Sequence, residues 1–235
     1  LITLDHLSGG RLELGVGVGA YREEFEALQP DDGSHRGNIV EEGVRALRML
    51  FTEDRASFDG DFYRFRDVQL FPKPLQNKIP IYFGGNNVNQ LRRTAKIGDG
   101  WLPAGLPLER ITADIAQLRE LCGAEGRDFS EIEVAPQYIA LVDHDHDRAV
   151  ERFSRSQMHK HLVSLTRSTL KEQAGISMVD ANLVGTPAEV VEKCLALKAA
   201  GVTHLLGLYF AVNTVAELLD QMSLFAEDVI PHLNE

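Results

Sequence analysis

The sequence predicts a parallel β/α barrel, and three observations carry that prediction. Strand and helix patterns alternate in five short-looped units between residues 11 and 233, the order that a parallel sheet with covering helices produces. Two of the strands, at 11–19 and 79–83, end in glycines and open onto a helix. Glycine there lets the backbone approach a bound anion beside the free N–H groups of a helix N-terminus. Finally, Gly15-Val-Gly-Val-Gly-Ala lacks the GxGxxG spacing of a doubly wound dinucleotide-binding sheet, and no second strand follows promptly. Five units then fit the back part of a (β/α)8 barrel better than an open sheet.

Taken in order, the opening LITLDHL has the spacing of a final helical turn packed by Leu1, Leu4 and Leu7 and closed by Gly9-Gly10. The chain is therefore expected to begin inside a helix, with earlier elements upstream. Residues 11–19 set Leu12, Leu14, Val16 and Val18 against Glu13, Gly15, Gly17 and Gly19, a strand with one branched face and one nearly bare face. Residues 36–51 form an amphipathic helix on Ile39, Val40, Ala46, Leu47 and Leu50. Residues 56–76 read as a surface insertion, a hairpin around Asp59-Gly60 with a Pro-rich exit.

The remaining units are a strand at 79–83 with a helix at 87–97, a strand at 100–104 with a helix at 108–123, and a strand at 132–142. Thr186-Pro-Ala-Glu has the N-cap, first-turn proline and capping glutamate of a helix start. That helix ends at Gly201, and a strand at 202–210 and a helix at 214–233 close the chain. The connection at 143–184 far exceeds the usual length of about 2–6 residues. It is expected to carry its own helix and to act as a lid over the strand ends.

At 235 residues a single domain, 1–235, is the economical reading. The net charge of −11 gives no support to a nucleic-acid partner, and every apolar run falls short of the roughly 18 residues that cross a membrane. Cys122 and Cys194 sit in helical patterns without metal-ligand spacing, which suits apolar fillers in a reducing cytoplasm. Hydrolytic chemistry lacks a GxSxG serine or a cysteine at a helix N-terminus, and Schiff-base chemistry lacks a lysine on a strand interior. Asp143-His-Asp-His-Asp147 has no metal-binding spacing and reads as a solvated acidic loop capping the next helix. His159 and His161, two apart on a helix, point to different faces.

A set of motifs in fixed order says more. Leu4-Asp5-His6-Leu7-Ser8-Gly9-Gly10-Arg11 leads to Gly17-Val18-Gly19-Ala20 and Glu24-Phe25; Arg36 and Glu42 follow, then Phe71-Pro-Lys-Pro, Gly84-Gly85 and Asp99-Gly100-Trp101; Val184-Gly185-Thr186-Pro187 and Ala200-Gly201-Val202 complete it. In this order the chain resembles the bacterial luciferase-like flavin-dependent monooxygenases, which include the F420-dependent oxidoreductases. The resemblance implies a (β/α)8 TIM barrel, here from its fourth strand onward and lacking roughly the first three β/α units. It implies reduced FMN with O2, or the deazaflavin F420, at the barrel's C-terminal mouth, acting on a small organic substrate, without a metal. The flavin would be supplied by a reductase, and a homo-oligomer is expected.

The cofactor phosphate would lie against Gly84, Gly85, Asn86 and Asn87, with Gly17, Gly19 and Ala20 passing beside the ring. Trp101 either walls the pocket or fills the core, and Tyr209 faces either the mouth or the outer helices. Arg155, His161, Lys160 and Arg167 on the lid segment meet either an anionic or carbonyl substrate, or solvent. Arg36 and Glu42 are expected to be structural pairing groups. Two other readings stay open: a flavin-binding barrel without turnover, and an unrelated phosphate-binding barrel enzyme.

Overall fold

A short helix, α1 (Ile2–Ser8), opens the chain and ends at Gly9, whose φ of 69° is a left-handed cap that glycine adopts without strain. The computed structural model describes residues 1–19, 27, 35–166 and 174–233. In α1 the packed side is not the leucine side expected from the sequence. Leu1, Leu4 and Leu7 are exposed, and Ile2 and Asp5 are buried. The reason is polar: Asp5 Oδ2 accepts the Leu75 amide at 2.7 Å and Asp5 Oδ1 accepts Gln76 Nε2 at 2.8 Å, so the helix is turned to pin the chain that enters the fourth strand.

Strand β1 (Leu14–Val16) is shorter than the alternation suggested. It is followed by α2 (Arg36–Thr52), then the antiparallel pair β2 (Ala56–Asp59) and β3 (Arg64–Val68), with an irregular register between Ala56 and Phe58. Glu42 of α2 fastens this hairpin by accepting the amides of Asp61, Phe62 and Tyr63 at 3.0, 2.7 and 2.7 Å. A Cβ on Gly60 would collide with that carboxylate, which is why the turn carries glycine.

The parallel wall begins with β4 (Ile81–Gly84), α3 (Val88–Ile97), β5 (Gly100–Leu102) and α4 (Leu108–Ala124). The strand expected at 132–142 is divided into β6 (Glu133–Val134) and β7 (Gln137–Val142). Pro136 lies at the break and has no N–H to give a ladder. Beyond β7 come α5 (His146–Arg155) and α6 (Gln157–Leu165). A strand that the sequence did not reveal follows, β8 (Leu183–Gly185); three residues running straight into a helix cap offer no readable alternation. Then come α7 (Pro187–Ala200), β9 (Gly207–Phe210) and α8 (Val215–Asp228).

Pairing orders the strands β1-β4-β5-β6 and, on the continuation of β6, β8-β7-β9, all parallel. Ala104 bridges to Gln137 on one edge of β7 and Gly207 pairs with Gln137 on the other. Ala140 likewise has Leu183 on one side and Phe210 on the other. β8 thus takes up the edge where β5 leaves off, and the wall is an arc of five strand positions.

Alternation sends Ile81, Phe83, Trp101, Val134 and Tyr138 toward the helices, where they are buried. The largest core cluster joins Trp101, Leu91, Ile111, Leu118, Leu197 and Phe225 across the strands and α3, α4, α7 and α8. The other face of the wall carries Gly15, Gly84, Gly100 and Gly207, and on β7 it carries Ile139 and Leu141, which pack against Ala149 and Phe153 of α5. Tyr82 lies across Gly100, where a Cβ would collide with its ring, and donates its hydroxyl to Glu133.

One carboxylate binds the base of the arc together. Asp99 Oδ2 accepts Arg48 Nη2 of α2 at 2.6 Å and the Ile81 amide at 2.9 Å, and its other oxygen meets Lys78. Burial pushes its carboxyl up, and the hydrogen bonds from Lys78 and Arg48 more than offset this, so that it stays below the ordinary range. Asp99→Ala leaves the part-buried Arg48 without its carboxylate, with only the Ile97 carbonyl at 3.0 Å to accept from it, and should destabilise the protein by about 2–3 kcal/mol. Urea unfolding measures this; an unchanged midpoint would show that the cluster is ornamental.

Candidate functional site

Parallel register places every strand's C-terminal end on one rim, the face at which barrel sites form. A cleft of about 560 Å³ lies there. Its lining includes Gly17, Val18 and Gly19 after β1, Gly84 to Asn87 at the end of β4, Ala104 and Gly105 after β5, Gln137 and Ile139 of β7, and Tyr209 of β9. α6 adds Met158, His161, Leu162 and Leu165 to the lining, with Met158 and Leu162 packed against the cluster that contains Ile139.

The turn at 84–87 is held from several sides. Gly85 has φ 121°, outside the comfortable range of an L side chain. Its amide donates to Leu102 O at 3.1 Å, and its carbonyl accepts the Trp101 indole N–H at 2.9 Å. A Cβ on Gly84 would stand 3.4 Å from Val16 O and 3.7 Å from Leu102 O, between the two neighbouring strands. Asn87 caps α3, its side chain accepting the Asn89 amide at 3.0 Å. Asn86 Oδ1 accepts the Ala104 amide at 2.8 Å, while Asn86 Nδ2 is buried and finds no partner among the described residues. A buried amide donor left unmatched costs about 1–3 kcal/mol, so this group is built to meet an acceptor. On the opposite side a Cβ at Gly17 would have nothing within 4 Å; its missing side chain is room in the cleft. A donor, a glycine turn, a helix N-terminus and an open floor together suit a phosphate-bearing planar group.

Of the residues singled out from the sequence, Gly17, Gly19, Gly84, Gly85, Asn86, Asn87, His161 and Tyr209 meet in this cleft. Ala20 and Arg167 lie outside the described residues. Trp101 is a correction to the pocket-wall alternative: it is fully buried among Leu91, Ile111 and Leu118 and supports the turn from behind. Arg155 is another, since its guanidinium pairs with Glu151 one turn back on α5 at 2.6 Å and does not line the cleft. Lys160 is exposed and also lies off the lining. Arg36 Nη1 donates to Gly19 O at 3.3 Å and so steadies the loop after β1.

Several lining residues gave no signal in the sequence. Gln90 sits on the first turns of α3. Asn182 is buried, with Oδ1 accepting the Ile139 amide at 3.0 Å and Nδ2 donating to Met178 O at 2.8 Å. Isolated amides, on a helix or in a loop, are too common to stand out. A smaller cavity of about 380 Å³ lies beside α7, where Lys193 Nζ is spent on Val179 O and Asn182 O at 3.2 and 3.1 Å; the rim glycines do not line it.

The acidic loop is structural. Asp143 accepts Arg148 Nε at 2.8 Å and Arg152 Nη1 at 3.1 Å, and Asp145 caps α5 by accepting the Arg148 amide at 2.8 Å. His146 Nδ1 lies 3.0 Å from Glu189, the capping-box residue of α7. No His, Cys, Asp or Glu group that would hold a metal occurs among the described residues, and none of their helices is long and apolar enough to cross a membrane.

Hydrogen bonds from Arg148 hold the Asp143 carboxyl down to about 2, and those from the Thr186 amide and His146 hold Glu189 to about 2. Both carboxyls are depressed relative to the unfolded chain, so their stabilisation is complete above the ordinary carboxylate range and is lost as pH falls from about 4 toward 2. Thermal unfolding should show Tm dropping steeply across that interval, and Asp143→Asn should flatten the drop. An equal drop in the variant would assign it to other groups.

Comparison with known proteins places this geometry. A family model described as luciferase-like monooxygenase matches residues 1–204. An FMNH(2)-dependent dimethylsulfone monooxygenase of Pseudomonas putida is 30% identical over 258 residues, covering 100% of this chain and 69% of that protein. An F420-dependent glucose-6-phosphate dehydrogenase of Amycolatopsis mediterranei is 26% identical over 245 residues, covering 98% of this chain and 72% of that protein. Among solved structures, monooxygenase RslO1 from Streptomyces bottropensis superposes with a TM-score of 0.78 at 24% identity, over 98% of this chain and 71% of that one. An F420-dependent secondary alcohol dehydrogenase in complex with an F420-acetone adduct superposes with a TM-score of 0.80 at 23% identity, over 100% and 73%. The chain belongs to the luciferase-like monooxygenase family, and its arc is wall of that barrel fold.

Proposed function

We propose that the protein is an oxidoreductase that holds reduced FMN, or the deazaflavin F420, in the cleft at the strand ends and acts there on a small organic substrate. The observation that carries this reading is the Asn86 amide, buried and unmatched in a glycine turn at the start of α3, in a chain whose relatives use FMNH(2) or F420. The phosphate would rest on residues 84–87, with Asn86 Nδ2 and the first amides of α3 as donors. Gly17 and Gly19, and by position Ala20, would let the ring lie close to the backbone after β1. When bound, the cofactor supplies the reducing equivalents, with O2 as co-substrate in the FMN case.

The chain's own residues bind, orient and shield. Trp101 and Leu102 fix Gly85, so the turn does not have to order itself on binding. The lid segment at 143–184 lays α6 across the cleft and would exclude water from the reacting atoms. Tyr209 of β9 and His161 of α6 both line the cleft and would touch the substrate. A reductase would supply reduced flavin in the FMN case. Exposed Val215, Leu219 and Met222 on α8 and Leu4 and Leu7 on α1 support self-association.

Gly17→Leu tests the reading with little risk to folding, since its Cβ meets open space and Gly17 is not in the left-handed region. Fluorescence titration should show saturable binding of FMN or F420 by the parent and at least about a tenfold weaker affinity in the variant, or about 1.4 kcal/mol, at unchanged Tm. Equal affinity in the two proteins would put the cofactor elsewhere.

A further inference from the structure

The amides that line the cleft are not used alike. Among the described residues, Asn86, Asn87, Gln90, Gln137 and Asn182 bring side-chain amides to it. Asn182 spends both ends within the protein, its oxygen on the Ile139 amide and its nitrogen on the Met178 carbonyl. Gln137 stands apart on β7. The three at the glycine turn are one-sided. Asn86 Oδ1 accepts the Ala104 amide at 2.8 Å, Asn87 Oδ1 accepts the Asn89 amide at 3.0 Å, and Gln90 Oε1 accepts Arg93 Nη1 in a longer contact of 3.4 Å. A backbone N–H or a guanidinium can only donate, so each partner fixes the oxygen of its amide and turns the nitrogen the other way. None of the three nitrogens has an acceptor among the described residues.

Gln90 is the member that the turn itself does not explain. It stands on α3 three residues beyond the Asn87 cap and is 2% exposed. Its stem lies over Gly85: a Cβ on that glycine would stand 3.2 Å from Gln90 Cγ and 3.8 Å from Nε2. Nε2 is therefore held at the same turn that Asn86 Nδ2 serves. An amide buried this deeply costs free energy unless both of its ends are matched. Arg93 is itself set in place by the fold. Its guanidinium occupies the room left by Gly37 of α2, where a Cβ would collide with Nη2, and its Nε lies 4.0 Å from Glu41 Oε2.

We infer that Gln90 is a ligand of the cofactor phosphate, donating Nε2 to it beside Asn86 Nδ2, and that Arg93 is the positioning residue that holds Gln90 Oε1 and keeps the donor turned toward the phosphate. The inference rests on the cleft being the cofactor site, as proposed above. Amides whose oxygens are already engaged offer N–H groups alone, which suits an oxyanion, whose oxygens each accept several hydrogen bonds. Phosphate recognition then extends beyond residues 84–87 to a helix position, and a side chain helps the protein tell a phosphorylated flavin from an unphosphorylated one.

Titration of each cofactor against its own phosphate-free form tests this: FMN against riboflavin, and F420 against the same deazaflavin without its phosphate. The proteins are the parent, Gln90→Met, Gln90→Glu, Arg93→Met and the Gln90→Met, Arg93→Met double variant, each with its Tm measured. The parent should favour the phosphorylated form. Gln90→Met, close in shape but without the donor, should weaken that form by at least about tenfold, the loss of one hydrogen bond to a charged group, and leave the phosphate-free form unchanged. Gln90→Glu, which keeps a partner for Arg93, should weaken it further by setting an anion against an anion. Arg93→Met should weaken the phosphorylated form in the parent and change nothing in the Gln90→Met background, because its effect passes through Gln90. In the parent itself, the Gln90 side-chain amide resonance should move with the phosphorylated form and stay in place with the other.

A Gln90→Met protein that keeps the parent's affinity for the phosphorylated form, or that weakens both forms equally, overturns the inference. So does a Gln90 amide resonance that ignores the bound phosphorylated form, a result that needs no variant. An Arg93→Met loss of equal size in both backgrounds overturns the positioning role. If the parent prefers the phosphorylated form and the Gln90 variants keep that preference, the cofactor reading stands and this inference alone falls. If the parent binds neither FMN nor F420, the cofactor reading falls and takes this inference with it.

Discussion

Parallel pairing is the constraint on which the rest depends. Because β1, β4, β5, β6–β7 and β9 run the same way, their C-terminal ends share one rim, and residues as distant in sequence as Gly17, Gly84, Ala104 and Tyr209 line one cleft. The same register alternates the side chains, so Ile81, Phe83, Trp101 and Val134 fill the helix side, while the other side carries Gly15, Gly84, Gly100 and Gly207 beside Tyr82, Ile139 and Leu141. The cleft thus occupies the glycine-bearing part of a face whose remainder, at Ile139 and Leu141, is packed against α5.

Around that frame, polar groups are used as fasteners. Asp5, Asp99 and Asp143 are all buried or nearly so, and each accepts hydrogen bonds from elements distant in the fold or from paired arginines. Glu42 does the same for the hairpin from a half-buried position. In this setting Asn86 stands apart among the residues lining the cleft, since half of its amide is matched and the other half is buried with no partner among the described residues. Trp101 links the two halves of the design. Its ring is core and its N–H holds the Gly85 carbonyl, so the packing that stabilises the wall also fixes the turn.

Much of this was legible in the sequence. Strand–helix alternation gave the parallel architecture and the helix from Asn87, and capping chemistry gave the helix start at Thr186; both residues cap through their side chains. The glycine turns located the rim. What was not legible depends on long-range partners. Nothing local reveals that Asp5 turns α1 away from its leucine side, because the amides it accepts are about 70 residues on. The three-residue β8 is too short for periodicity, and Pro136 divides a strand that reads as continuous. In the lid, composition suggested Arg155, Lys160, His161 and Arg167 for an anionic or carbonyl substrate, but the fold decides which side chains reach the cleft, and of those described only His161 lines it. Gln137 and Asn182 carry no motif, and only the register and the burial of their neighbours bring them to the site.

The central claim is that a phosphate-bearing flavin or deazaflavin binds with its phosphate on the turn at 84–87. Backbone amide chemical shifts of the 15N-labelled protein, followed as FMN or F420 is added, test it most directly. Saturable shifts centred on Gly85, Asn86 and Asn87 and on Gly17 and Gly19, together with the Asn86 side-chain amide, are the predicted result. Binding that moves the amides around Lys193 and Glu189 and leaves the 84–87 turn unperturbed would contradict it.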